Sequence, residues 1–258
     1  MLHLYNVSFG PNSEKSNDRA AALESYRALQ EKHSKESIEI VFHDSVVDWE
    51  DICQVEQHLR TVLLPKSTVM DVNIATALWF ASRGHTRDLE TLDASVQSRQ
   101  EAPTSSSSDL RNNPRVLLLG MGADEQLAGY GRHRKAYEQG GFSKLHEELQ
   151  MDQDRFWERN LGRDDRLISD NSKEARFPFL DAHVVDFLQR TALTDICNFD
   201  LPPGQGDKRI LRLMAKRLGM DHASGLVKRA IQFGSRISHL SDTKRFGSRR
   251  KAKGETKI

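Results

Sequence analysis

The stretch that decides the fold is RVLLLGMGADEQLAGY, residues 115–130. Its four aliphatic residues, Val116 to Leu119, form a short uncharged run that is typical of a strand buried on both faces of a parallel sheet. Gly120 and Gly122 then allow a turn whose backbone N–H groups can approach a phosphate, with a helix beginning behind it. The stretch therefore predicts either a phosphate-binding turn or an ordinary glycine-rich connection from strand to helix.

Two carboxylates, Asp124 and Glu125, stand where a dinucleotide-binding fingerprint has its third glycine, so the GxGxxG pattern fails. Adjacent negative charges beside a glycine turn repel a bare phosphate. They suit a divalent cation such as Mg²⁺ that bridges them to a polyphosphate. If the turn binds phosphate, we therefore expect a metal ion with it.

Composition restricts the class of protein. The 258 residues have a formal net charge of +1, 29% charged residues and a mean hydropathy of -0.62, which argues against a general polyanion binder and favours a soluble protein. No apolar run approaches the roughly 20 residues of a membrane span, and the N-terminus lacks the pattern of a signal peptide. Cys53 and Cys197 are far apart, which favours a reducing, cytoplasmic location over a disulfide framework or a zinc site.

Strands and helices alternate before the glycine turn, which predicts βαβ units and a parallel sheet. Apolar periodicity and capping residues set the expected limits of these elements. Strands are predicted over 3–9 and 37–43, and helices over 19–32 (capped by Asn17 or Asp18), over 48–64, and from Thr68 or Asp71 to Arg83.

The remaining segments differ in character. Residues 85–114 are polar and serine-rich, which predicts a disordered surface insertion. Beyond Tyr137 the pattern is helical, over 143–160, 182–191 and 208–218, with no clear strand. We therefore predict an α/β nucleotide-binding core over 1–137, a helical part over 138–240, and a basic flexible tail over 241–258.

Five segments, in order, resemble the C-terminal synthetase domain of the asparagine synthetases. That family has SGEGSDE followed by GGY, a DR segment, ExRxPFLD, a KxxLR helix and a basic QF segment. The residue sequences of these segments resemble still more closely those of a divergent branch, the asparagine synthetase domain-containing proteins. The matching segments are GMGADEQLAGYGRHR (120–134), NLGRDDR (160–166), EARFPFLD (174–181), KRILR (208–212) and KRAIQFG (228–234).

The resemblance implies an ATP-pyrophosphatase fold, an adenine-nucleotide-hydrolase-like parallel sheet surrounded by helices. It implies ATP and Mg²⁺ as cofactors and aspartate as substrate, which ATP activates as β-aspartyl-AMP. Ammonia from a glutaminase domain then displaces AMP to give asparagine. The implied nucleotide-binding residues are Val7, Leu119, Gly120 and Gly122, and the implied metal ligands are Asp124 and Glu125.

Basic residues offer further contacts for an anion. Lys208 and Arg212 lie one helical turn apart and face either an anion or solvent. Lys228 and Arg229 precede Ala230, which stands where the family has a charge-neutralising lysine. The side chain of Lys228 or Arg229 would have to extend to that position to supply the missing charge.

The chain also departs from the family in ways that weaken the expected chemistry. Met121 replaces a glutamate implicated in adenylation and amide formation, and a thioether cannot carry charge or transfer a proton at neutral pH. Leu119 replaces a serine. The SGGxDS loop and the cysteine nucleophile of the glutaminase domain would precede His3 and are not in this sequence, so we expect an N-terminally truncated core. The alternative is therefore a catalytically degenerate relative that keeps the fold as a binding or interaction module.

Other polar segments have both a functional and a structural interpretation. Arg163 to Arg166 form either the rim of an active site or a self-paired charge cluster. Arg176 and Asp181 either contact substrate or belong to a structural joint around Pro178. The ten histidines show no metal-ligand spacing, and the basic tail has no complementary basic stripe elsewhere, so nucleic-acid binding is not favoured.

Overall fold

The computed structural model describes residues 1–84 and 114–246, with the backbone alone for 242–246. The strands of these ranges are β1 (Leu2–Phe9), β2 (Ile40–Val47), β3 (Val116–Leu118) and β4 (Glu174–Arg176). The longer helices are α1 (Asn17–Lys32), α2 (Trp49–Leu63), α3 (Val69–Arg83), α5 (Gly131–Phe156), α6 (Gly162–Ser169), α7 (Ala182–Arg190), α9 (Arg209–Arg217) and α12 (Ile237–Phe246). Four-residue helices are α4 (Ala123–Gln126), α8 (Leu193–Ile196), α10 (Asp221–Ser224) and α11 (Ile231–Gly234). A π-helix covers Trp157–Leu161, and 3₁₀ turns cover Ser13–Lys15 and Pro178–Leu180.

Within the described ranges the strands pair as two separate parallel sheets. β1 lies beside β2 with Leu2 opposite Ile40 and Phe9 opposite Val47. β3 lies beside β4 with Leu117 opposite Ala175. The chain is therefore a mixed α/β structure with parallel strands and mostly helical content, as the sequence predicts. β4 was not predicted, because three residues are too few to show an alternating pattern.

The prediction that β3 is buried on both faces is wrong. Val116 is 48% exposed and Leu118 is 69% exposed. The pairing of β3 in the described part of the chain is with β4, so one edge and much of its apolar surface stay open. An uncharged aliphatic run reports the tendency to form a strand, but it does not report how many neighbours that strand has.

The second strand lies further along the chain than the predicted 37–43. β2 continues through Asp44 and Ser45 to Val47, and both polar residues are buried. Asp44 accepts hydrogen bonds from Asn6 Nδ2 at 2.8 Å and from Arg19 Nε at 2.6 Å. Partners from distant segments keep these polar side chains inside the structure, which the local pattern could not indicate.

Side-chain caps fix the ends of the first helices. Ser16, rather than the predicted Asn17 or Asp18, caps α1 by accepting from Arg19 N at 3.1 Å. Thr68 caps α3 through Asp71 N, one of the two predicted starts, and Gly84 ends that helix in the left-handed region with φ 71°. These caps orient α1 and α3 against β1, and α3 packs also against α2, α6, α11 and α12.

Helical structure after the glycine turn begins earlier than predicted. α5 starts at Gly131 and is interrupted by non-helical backbone at Gly140 and Gly141. α12 extends to Phe246, so residues 241–246 of the predicted tail are helical. The rest of the predicted tail lies outside the described residues, as does the predicted insertion apart from Pro114.

Two apolar clusters flank the glycine turn. One packs β1 and β2 on α2 and α3, with Met121 against its margin. The other joins α4 and α5 to α7, α8 and the Cys197–Phe199 segment. No helix of the described ranges has the length and apolar character needed to cross a membrane.

Candidate functional site

A cavity of about 450 Å³ opens where the glycine turn meets α3, α5, the π-helix and the segment before α11. This volume is typical of a small-molecule site. Among its lining residues are Met121, Asp124 and Glu125 from the turn and Lys228, Arg229 and Ala230 from the basic QF segment. The structure therefore brings together three of the five segments that the sequence singled out. The third segment, NLGRDDR, contributes Asn160 and Arg163.

Glycine is required at two positions of the turn. Gly122 has φ 92°, and a Cβ there would lie 2.6 Å from Leu180 Cδ2. A Cβ at Gly129 would overlap Asp124 Oδ1 and lie 2.9 Å from Asp124 Cα. The backbone thus folds back around the Asp124 side chain, and this close approach directs the carboxylate into the cavity.

Asp124 is paired with two lysines from distant segments. Lys208 Nζ donates to Oδ1 at 2.8 Å, and Lys228 Nζ lies 3.8 Å from Oδ2. Lys208 reaches this position from a left-handed backbone at φ 52°, where its own N–H donates to Leu127 O. Lys208 is therefore bound to Asp124 instead of facing the cavity as a free anion contact, and it is not among the lining residues.

Glu125, which the sequence predicts as a metal ligand, accepts two hydrogen bonds from within the protein. Its Oε1 accepts a hydrogen bond from Tyr130 Oη at 2.5 Å and another from Asn160 Nδ2 at 3.0 Å, and the side chain is buried. Burial, followed by the neighbouring Glu125 charge, raises the pKa of Tyr130, so the phenol stays protonated as a donor. Glu125 thus anchors the Tyr130 ring at the cavity wall.

A buried ion cluster supports one side of the cavity. Arg163 donates to Asp71 Oδ1 at 3.2 Å and to Asp164 Oδ1 at 2.8 Å. Thr68 Oγ1 holds the other oxygen of Asp71 at 2.6 Å. Burial raises the pKa of Asp164 against the opposing effect of Arg163, and the described residues offer Asp164 Oδ2 no hydrogen-bond partner. The DR segment is therefore the self-paired alternative, although Arg163 also lines the cavity.

The cavity wall carries more basic than acidic side chains. The basic residues are Lys66, Arg132, Arg159, Arg163, Lys228 and Arg229, and the acidic ones are Asp71, Asp124, Glu125 and Asp152. Burial alone would raise the pKa of Asp152, but hydrogen bonds from His133 and Arg132 hold it below its usual value. The excess of basic side chains in the wall favours an anionic ligand.

Lys228 and Arg132 both lie over the ring of Tyr130. Lys228 Nζ is 4.6 Å from the ring centroid and Arg132 Cζ is 4.3 Å from it. Burial lowers the pKa of Lys228, and Asp124 opposes this shift. Met121 and Ala230 also line the cavity, but neither contributes a charge or a proton. Tyr130 and Arg132 were not predicted as site residues, although Tyr130 is part of the matched GGY-type segment.

Several predicted residues lie elsewhere. Val7 is buried in the core at 5% exposure, and Leu119, Gly120 and Gly122 are not among the cavity-lining residues. Arg212 is corrected from an anion contact to a structural residue. Its guanidinium pairs with Asp207 Oδ2 at 2.5 Å and donates to Ser224 O at 3.0 Å and to Leu226 O at 2.8 Å.

The PFLD segment is a structural joint. Asp181 caps α7 by accepting from His183 N at 2.9 Å. Arg176 pairs with Glu174 at 2.5 Å on the surface. Gln126 donates to Phe179 O, which ties this joint to the glycine turn. Arg176 and Asp181, the charged residues at the two ends of the segment, thus both interact within the protein.

Asp124 is the residue that best fits a magnesium ion. The described residues contain no group of three or more acidic, histidine or cysteine side chains that could hold a metal. Mg²⁺ is commonly bound by one or two carboxylates, with phosphates and water completing its octahedron. A single carboxylate at the wall of a cationic cavity meets that requirement when a polyphosphate supplies the other ligands.

Comparisons with known proteins identify relatives of this chain. The family model for asparagine synthase matches residues 136–222. Asparagine synthetase domain-containing protein 1 of Mus musculus is 41% identical over 232 residues, which are 90% of this chain and 35% of that protein. Asparagine synthetase domain-containing protein YML096W of Saccharomyces cerevisiae is 33% identical over 247 residues, 93% of this chain and 42% of that protein.

A shorter match is to the putative asparagine synthetase [glutamine-hydrolyzing] 1 of Methanocaldococcus jannaschii, which is 43% identical over 72 residues, 28% of this chain and 13% of that protein. The chain thus spans less than half the length of each of these relatives.

Proposed function

We propose that this chain, which belongs to the asparagine synthase domain family, binds ATP and aspartate in the cavity and serves the ATP-dependent amidation of aspartate to asparagine. The observation that carries the proposal is Asp124 held between Lys208 and Lys228 at the wall of a cavity with excess positive charge. We also propose an ATP-pyrophosphatase architecture, which the parallel pairing of β1 with β2 and of β3 with β4 supports.

The side chains present suit the binding of a polyphosphate and its departure. Lys228 and other cations of the wall offset negative charge on the phosphates, and the charge on a leaving pyrophosphate is stabilised in the same way. Asp124 is the residue that would hold Mg²⁺, which supplies further charge neutralisation when bound. Asn160 and Tyr130 both donate to Glu125 Oε1, so hydrogen bonds within the protein offset part of the negative charge of this cavity-lining carboxylate.

The ammonia for amidation must come from outside the described cavity. We propose a glutaminase domain or a protein partner as its source, since one relative is named for glutamine hydrolysis. A cytoplasmic location is proposed with it, because glutamine, aspartate and ATP are all available there and the two cysteines need no oxidising compartment.

A second candidate function is nucleotide binding without turnover. It is favoured by Met121 and Ala230, which both line the cavity and contribute no group for proton transfer or charge neutralisation. In this case the domain keeps the fold as a binding or interaction module, and ATP regulates or stabilises it.

Calorimetry with ATP and Mg²⁺, followed by measurement of aspartate-dependent pyrophosphate release, separates the two functions. Asp124→Asn is the test variant and Asp154→Asn, at an exposed position of α5, is the matched control. Binding with release that Asp124→Asn abolishes supports the ligase. Binding without release supports the second function. If the unaltered chain binds no ATP, both are wrong.

A further inference from the structure

Lys228 is distinguished from the other lysine at Asp124 by how loosely it is held. Lys208 makes a hydrogen bond of 2.8 Å to Oδ1, whereas Lys228 lies 3.8 Å from Oδ2, which is beyond hydrogen-bonding distance. Lys228 lines the cavity and Lys208 does not. Lys208 is hydrogen-bonded within the protein. The described residues place no acceptor within hydrogen-bonding distance of Lys228, so its N–H donors can reach a ligand.

The position of Lys228 is nevertheless fixed from one side. Its ammonium lies 4.6 Å from the centroid of the Tyr130 ring, a distance at which the ring quadrupole attracts a cation. Tyr130 cannot turn freely, because its hydroxyl donates to Glu125, which in turn accepts from Asn160. A chain of contacts from Asn160 to Lys228 therefore places one ammonium at a defined point of the wall.

The charges around Lys228 leave it incompletely neutralised. Asp124 attracts it, but that carboxylate is shared with Lys208. Arg132, whose guanidinium lies 4.3 Å from the centroid of the same ring, repels the Lys228 ammonium. An anion in the cavity would relieve this repulsion and would receive hydrogen bonds that the protein does not use.

We infer that Lys228 is the side chain that binds a phosphate group of the ligand in this cavity, and that Tyr130 is its positioning residue. The inference rests on the proposed function and deepens it, because it names the cation that contacts the phosphate and the residue that positions this cation. The ring holds the ammonium 3.8 Å from Asp124, so a phosphate oxygen meets Lys228 beside the carboxylate that fits Mg²⁺.

The test uses inorganic pyrophosphate as the probe, titrated calorimetrically into the full 258-residue chain. Lys228→Met weakens its affinity by about tenfold to hundredfold, since a charged hydrogen bond is lost. Lys228→Arg retains most of the affinity. Lys135→Met, at an exposed position of α5, removes the same charge without touching the cavity and serves as the control.

Tyr130 is tested by a double-mutant cycle. Tyr130→Leu weakens pyrophosphate binding by about twofold to thirtyfold, the range expected for a lost cation–π contact, and Tyr130→Phe keeps most of it. In the Lys228→Met background the Tyr130→Leu change has a smaller effect, because the ammonium that the ring positions is gone and only the contact with Arg132 remains to be lost. A merely structural role for Tyr130 would instead weaken binding equally in both backgrounds.

Thermal melts establish that each variant is folded. If Tyr130→Leu does not fold, Tyr130→Phe is compared with a trifluorinated phenylalanine at the same position, which largely keeps the shape and nearly cancels the ring quadrupole. Weaker binding by the fluorinated ring supports the inference, and equal binding overturns the role of Tyr130. If the unaltered chain binds pyrophosphate and Lys228→Met binds it equally well, the inference is wrong while the proposed function stands. No binding by the unaltered chain overturns both.

Discussion

Lys208 Nζ donates to Asp124 Oδ1 over 2.8 Å, so the carboxylate that fits Mg²⁺ is already neutralised by a side chain. The two residues are 84 positions apart in the sequence, and the left-handed backbone of Lys208 brings its side chain back to the glycine turn. A metal ion and this ammonium compete for the same oxygen. Binding of Mg²⁺ therefore requires Lys208 to move or to share the carboxylate.

The first prediction concerns this competition. Lys208→Met is expected to strengthen Mg²⁺ binding in the presence of pyrophosphate by about tenfold, because a competing hydrogen bond to a charged group worth roughly 1.5 kcal/mol is removed. Calorimetric titration with MgCl₂ measures the change. Lys216→Met, at an exposed position of α9, the helix that follows Lys208, is the control. Unchanged Mg²⁺ affinity would show that Asp124 does not receive the ion.

The second prediction concerns the glycines of the turn. Gly129→Ala is expected to lower the free energy of unfolding by more than about 2 kcal/mol, since its Cβ would overlap Asp124. It should also weaken pyrophosphate binding, because Asp124 and Lys228 can no longer keep their positions. Gly131→Ala is the control, as a Cβ there meets nothing within 4 Å. Urea unfolding and calorimetry of both variants test this prediction, which equal stability would contradict.

The third prediction concerns the buried cluster around Arg163. Arg163→Met leaves Asp71 and Asp164 without their cation and is expected to cost about 3–5 kcal/mol. Arg190→Met breaks an exposed pair with Asp186 and should cost less than about 1 kcal/mol. Chemical unfolding at neutral pH compares the two variants. A similar small loss for both would mean that the buried cluster does not stabilise the fold.

The sequence predicted the elements that local patterns determine. α2 carries a clear apolar stripe, α3 lies between a threonine cap and a terminal glycine, and both helices lie where expected. The limits of β2 were missed because buried Asp44 is satisfied by Asn6 and Arg19, which are distant in the chain. The open edge of β3 was missed because pairing depends on which other strands are present.

The sequence predicted those parts of the candidate site that motifs identify, but not the parts that depend on contacts between distant segments. Motif order identified Asp124, Lys228 and Arg229, and all three line one cavity. Sequence could not distinguish Lys208 from Lys228, since only the folded chain fixes their distances from Asp124. Helical spacing placed Arg212 beside Lys208, but its guanidinium turns to Asp207 and two backbone carbonyls.

The fourth prediction is a pH dependence at Asp18. Burial raises the pKa of Asp18 to about 6 from the 3.8 of a free side chain, against the attraction of Arg229. Ionisation is thus less favourable in the folded than in the unfolded protein. Asp18 therefore lowers stability progressively as pH rises from about 4 to about 6, and the full penalty remains above pH 6.

Asp18→Asn is accordingly expected to stabilise the protein at pH 7 by up to about 3 kcal/mol, and the gain should vanish near pH 3.5. Urea unfolding across pH 3.5 to 7.5 measures the difference. Glu24→Gln, at an exposed position of α1, controls for the change to an amide. A gain that is equal at every pH would contradict the assigned pKa.

The last prediction concerns the uncharged residues of the cavity. Met121→Glu combined with Ala230→Lys places a carboxylate and an ammonium where both native side chains line the wall. Because Met121 and Ala230 lack the groups for proton transfer and charge neutralisation, the double variant should release pyrophosphate faster than the unaltered chain with ATP, Mg²⁺ and aspartate, by about tenfold or more. A single-turnover assay measures the rate. The reversed pair, Met121→Lys with Ala230→Glu, controls for charge placed without the correct arrangement. If neither pair changes the rate and ATP still binds, missing groups at these two positions do not limit the reaction.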